Sequence, residues 1–70
     1  MRERVEYHVF ADNVLTEVYI GFVEAGTVAR TMALREPGVL VTVARMTGAT
    51  SAIRVARFQV VEGVLDAWVS

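Results

Sequence analysis

Thr27-Val28-Ala29-Arg30-Thr31-Met32-Ala33-Leu34-Arg35 is the segment on whose reading the fold class turns. As a short helix it would be capped by Thr27 and carry Val28, Met32 and Arg35. As a strand it would alternate through Val28, Arg30 and Met32. Pro37-Gly38, just beyond it, suits a type II turn, with proline setting one φ and glycine supplying the positive φ that follows. The segments on both sides alternate as strands do. The strand reading is therefore preferred, and with it an all-β chain.

Downstream, Val39 to Met46 is apolar on both faces, which places it at the centre of a sheet or at an interface. Thr47, Thr50 and Ser51 fill the next turn with hydroxyls, which bond the local backbone or a ligand. Ala52 to Val61, a Glu62-Gly63 turn and Val64 to Val69 make a last hairpin. Upstream, Ala25-Gly26-Thr27 reads as a turn. Val14 to Val23 reads as a long strand, interrupted at Gly21 by a bulge or a close backbone approach. Asp12-Asn13 reads as a hairpin turn, since both residues tolerate left-handed backbone. Before it, Val5, Tyr7 and Val9 share one strand face and Glu6 and His8 the other. No linker, repeat or charge run divides residues 1–70, so one domain is expected, a small antiparallel β-sheet or β-sandwich.

Seventy residues bury only about 60 % of the surface that the unfolded chain exposes. Yet 54 % of the residues are hydrophobic and the mean hydropathy is +0.44, more apolar surface than one small domain hides. There is no cysteine, so neither a disulfide nor a thiolate metal site can staple the fold. Self-association is the remaining device, and a homo-oligomer is expected. No apolar stretch approaches the roughly 20 residues of a spanning helix, so no membrane partner is expected. Met1 to Glu6 lacks the apolar region of a signal peptide, so the cytoplasm is the expected location.

Catalysis is poorly supplied. The single histidine, His8, stands on a polar strand face two residues from Glu6 and reads as a surface or edge residue. No phosphate loop, metal-ligand spacing or paired carboxylate appears, so neither an enzyme nor a bound metal or cofactor is expected. Met32 and Met46 read as core fillers. Trp68 shares a face with Val64 and Asp66 and reads as an interface anchor ahead of a base-stacking platform. The net charge is −1 and the seven basic residues are all arginine. That excludes a uniformly basic surface and leaves room for a local arginine stripe. Strict alternation puts Arg54 and Arg57 on opposite faces. A bulge at Ala56-Arg57 would bring their planar forks to one face, where they could grip phosphate or read a guanine edge. Otherwise they are solvated strand arginines, paired with Glu62 or Asp66.

Thr50-Ser51-Ala52-Ile53-Arg54-Val55, together with Ile20-Gly21-Phe22 and Val41 to Thr47, resembles the tryptophan RNA-binding attenuation protein (TRAP) family. The likeness spans about half the chain without a gap. It implies an all-β subunit that closes into a homo-oligomeric ring of about eleven copies by pairing sheets between neighbours. It also implies transcription attenuation through single-stranded RNA of repeated GAG or UAG triplets wound on the rim. Two basic positions of the family's RNA site fall on Arg35 and Arg54. A third falls on Ala56, with Arg57 one step further on. The base-stacking aromatic falls on Arg30 and an acidic base-reading position on Pro37, so phosphate attraction is kept and triplet reading is weakened. In the family's tryptophan pocket, between subunits, hydroxyls fall on Thr47 and Ser51, beside Thr50, with Gly26 and Thr27 near the first loop. A glutamine position falls on Arg45 and a threonine position on Val23. A charge facing a neutral indole needs a partner. Free tryptophan is therefore expected to bind weakly or not at all. Arg45 would then pair with an acid across the interface, face an empty pocket or meet an anionic ligand.

Overall fold

The structure is a computed structural model that describes residues 4–48 and 50–70. Met1, Arg2 and Glu3, part of the stretch read against a leader, lie outside the described residues, as does Ala49. The elements run β1 (Val5–Ala11), β2 (Val14–Tyr19), α1 (Phe22–Arg35), β3 (Val41–Thr47), β4 (Ser51–Val61) and β5 (Val64–Val69). The fold is mostly β, with five antiparallel strands in one open sheet of order β2-β1-β3-β4-β5. β3, from the segment expected at the centre of a sheet or at an interface, is the middle strand.

Two tight turns form where expected. Asp12 and Asn13 have φ of 48° and 67°, and Glu62 and Gly63 have φ of 51° and 78°. Positive φ at both central residues is the type I′ geometry, whose twist matches that of the paired strands. Asp12 does more than turn the chain. Its Oδ1 accepts the Leu40 N–H at 3.0 Å, and its own N–H donates to the Leu40 carbonyl at 2.8 Å. The first hairpin is thereby tied to the start of β3.

The strand expected over Thr27–Arg35 is a helix, α1, that begins at Phe22 and absorbs the expected Ala25-Gly26-Thr27 turn. Ala25, Ala29 and Ala33 recur every fourth residue and are 0 % exposed. This stripe of small side chains lets the helix lie close against the sheet, and alanine is the strongest helix former. Thr27 is no cap: its hydroxyl donates to the Val23 carbonyl at 2.9 Å, one turn back. Gly21 is not a bulge within a long strand but the extended N-cap residue. Glu24 in the first turn and Arg35 in the last complement the helix dipole. The Glu36 N–H closes the end on the Met32 carbonyl, and Gly38, at φ 96°, turns the chain toward β3.

Beneath the helix, Val9 faces Val43, Val43 faces Ala56, and Val41 faces Phe58 across the ladders. Val9, Val41 and Val43 are fully buried, each worth about 1.5–3 kcal/mol of transfer free energy. Tyr7, Tyr19, Phe22, Met32 and Leu65 close the margin of this core, with the Tyr7 and Phe22 rings 5.5 Å apart. The Tyr19 hydroxyl donates to Glu17. That bond first, then burial and the charges of Glu17 and Glu24, raise the phenol above its ordinary pKa of 10.0.

The helix is the second layer on one face of the sheet, and the opposite face carries no covering element among the described residues. The two edge strands are unusually apolar. Val14, Leu15 and Val18 on β2, and Val64, Trp68 and Val69 on β5, are exposed. No helix of the described residues is long and apolar enough to cross a membrane.

Candidate nucleic-acid interface

On β4 the alternation breaks once. Val43 pairs with Ala56 and Ala44 pairs with Arg54, so Val55 is an extra residue in the β3–β4 ladder. A bulge of this kind shifts the phase of the side chains that follow it. Arg57, opposite Thr42, therefore lies on the same face as Arg54, opposite Ala44. Strict alternation through β4 does not hold: a bulge at Val55, and not at Ala56-Arg57, puts the two guanidinium groups on the uncovered face.

The ladders set this face out in rows. Leu15, Phe10, Thr42, Arg57 and Trp68 stand opposite one another in turn across all five strands. The next row holds Val18, His8, Ala44 and Arg54. Phe10, Asn13, Thr42, Ala44, Ala52 and Arg54 line a depression of about 400 Å³, within the roughly 300–1,000 Å³ of small-ligand sites. The small side chains of Thr42, Ala44 and Ala52 make its floor, because any larger residue there would fill it.

Charges on this face are mixed. Arg57 lies 3.6 Å from Asp66, one of the two acids expected if it were a solvated strand arginine. Arg54 makes no ion pair among the described residues. Glu6 is engaged twice, by Arg4 at 3.2 Å and by His8 at 3.2 Å. His8 is therefore beside Glu6 as expected, but on an inner strand between β2 and β3 and not at an edge. The His8 ring also lies 6.4 Å from Phe10. Of the two arginines that the bulge brings together, Arg57 has an acid beside it and Arg54 has none among the described residues.

Arg35 is not part of this cluster. It ends α1, on the other side of the sheet from Arg54 and Arg57. The residues anticipated for a ligand pocket also separate within one chain. Arg45 lines a cleft of about 210 Å³ on the helix side with Tyr7, Phe22, Val55 and Ser70. Gly26 and Thr27 line a neighbouring one of about 280 Å³ beside Phe22 and Arg30. Thr47 and Ser51 face each other at the end of the β3–β4 hairpin, and Thr50 is exposed in the turn. Arg45 makes no ion pair among the described residues.

Phe10 was missed by reading residues alone, although period-two continuation from Glu6 and His8 puts it on their face. Thr42 and Ala44 carried no signal, since a floor is recognised only from what surrounds it. No group of three or more histidines or acids gathers to hold a metal among the described residues. No protein-family model, curated protein or solved structure matches the chain.

Proposed function

We propose that this protein is a TRAP-like, ring-forming regulator that binds single-stranded RNA on the uncovered face of its sheet. The observation that carries the reading is the pairing of Arg54 and Arg57 on that face by the Val55 bulge. Two planar guanidinium groups beside a shallow depression suit phosphates and base edges, and they act locally although the chain as a whole carries a charge of −1. The helix departs from the all-β subunit that the resemblance implies, and it occupies the segment onto which Arg30 and Arg35 were laid. RNA contact is therefore assigned to the sheet face, with Arg54 first and Arg57 beside it.

Ring closure is supported by the edges. β2 and β5 each carry a single acid and no lysine or proline, the devices that usually guard a free edge. Pairing β2 of one subunit with β5 of the next is a head-to-tail contact that repeats until the rotation closes, and the resemblance implies about eleven copies. The same apolar edges favour a second reading, a homo-oligomeric ring that serves as a structural or protein-binding module without RNA.

Native mass spectrometry with and without tryptophan and a GAG-repeat RNA tests both. A closed oligomer that takes up RNA supports the first reading. An oligomer that binds no GAG, UAG or mixed-sequence RNA at low salt leaves only the second. A stable monomer removes both.

A further inference from the structure

Trp68 stands directly opposite Arg57 on the uncovered face and is 47 % exposed. The core does not need it: the buried cluster lies on the other side of the sheet, around Val9, Val43 and Phe58. Along the same row, beyond Arg57 and Thr42, lies Phe10. Three strand spacings separate the two aromatics, about 14 Å. Arg57 lies between them, and Arg54 flanks the row from the next one.

We propose that Trp68 and Phe10 are the base-stacking positions of this face, and that the ligand class is single-stranded nucleic acid laid across the strands. The proposal rests on the RNA-binding reading above and adds to it the contacts that select unpaired bases. An indole at one end of the row and a phenyl ring at the other accept the faces of splayed bases. The Arg57 guanidinium between them, with Arg54 beside the row, meets the intervening phosphates. A duplex hides its base faces and offers this row nothing but phosphate. Asp66, 3.6 Å from the Arg57 guanidinium, competes with phosphate for it through an exposed ion pair. The arrangement discriminates by the state of the strand more than by sequence, because every base has a face to stack.

Trp68 is the chain's single tryptophan, so its emission reports on this position alone. The whole protein is titrated with a mixed-sequence single-stranded RNA, DNA of the same sequence, an RNA duplex and inorganic polyphosphate, while a labelled RNA reports affinity by anisotropy. Single-stranded RNA is expected to quench Trp68. DNA of the same sequence quenches equally if stacking alone selects, and less if the 2′-hydroxyl is read. Duplex and polyphosphate leave the emission unchanged. Trp68→Phe keeps most of the affinity, and Trp68→Ala loses about tenfold with an unaltered salt slope, since stacking releases no counterions. RNA binding that leaves the emission of the unmodified protein unchanged overturns the stacking role while the arginine reading stands. So does quenching by polyphosphate. Emission that shifts on assembly and then no longer responds to RNA, as for an indole buried between subunits, also overturns it. Failure to bind any nucleic acid overturns both.

Discussion

Arg54 and Arg57, three residues apart on β4, lie on the same face of the sheet because Val55 is bulged between Arg54 and Ala56. The functional reading depends on that phase shift. Without it, one guanidinium would point under the helix and the other away from it.

Arg54→Ala is expected to weaken RNA binding by about tenfold or more, the loss of one charge-assisted contact. It should also reduce the slope of log affinity against log salt by about 0.7 per lost phosphate contact. Arg30→Ala and Arg35→Ala, both on the helix, should change neither. Anisotropy titrations across a salt series check this, and a large loss in Arg35→Ala would return the RNA to the helix side.

Asp66→Asn should tighten RNA binding several-fold, because the Arg57 guanidinium loses a competitor 3.6 Å away. The ion pair is exposed and contributes at most about 1 kcal/mol to stability, so folding is barely affected. Unchanged affinity would mean that Arg57 does not touch the nucleic acid.

Gly26→Ala and Gly63→Ala are the same chemical change with opposite expected signs. Gly26 lies within α1 with nothing within 4 Å of an added Cβ. The substitution should stabilise by about 0.5–1 kcal/mol through helix propensity. Gly63 has equal room but a φ of +78°, so a Cβ there costs about 1 kcal/mol of backbone strain. Urea denaturation of both variants decides. A destabilising Gly26→Ala would count against the helix.

Ala29→Leu should destabilise by about 1–3 kcal/mol or more, since the site is 0 % exposed and has no room for three further carbons. Leu34→Ala, on the exposed side of the same helix, should stay near 0.5 kcal/mol. Chemical denaturation separates them. Equal effects would mean the helix does not lie against the sheet through its alanine stripe.

Val18→Lys on β2, or Val69→Lys on β5, should dissociate the oligomer by placing an unpaired charge at an apolar edge. Sedimentation at micromolar concentration reads the outcome. If the unsubstituted protein is already a stable, cooperatively folding monomer, the ring reading fails.

Much of this architecture is legible residue by residue. Asp12-Asn13 and Glu62-Gly63 turn the chain through backbone preferences that act within two residues, so local chemistry is sufficient to place both hairpins. The run from Val39 to Met46, apolar on both faces, suits the centre of a sheet or an interface, and it forms the middle strand. The surplus of apolar residues over what seventy residues bury is a matter of composition alone.

The helix and the interface were decided at longer range. Gly26 costs a helix about 1 kcal/mol, and the alternation of Val28, Arg30 and Met32 is a pattern a strand would share. Burial of Ala25, Ala29 and Ala33 against β1, β3 and β4 outweighs them, and that gain exists only once the sheet is present. The bulge at Val55 likewise has no cause within β4 alone. It appears when Val43 takes Ala56 as its partner and Ala44 takes Arg54. So the sequence by itself determined β1, β3, the closing hairpin and the two tight turns, because those follow from neighbours along the chain. The tertiary structure decided which segment became the helix and which arginines share a face, because pairing energy between distant strands sets the phase of every side chain.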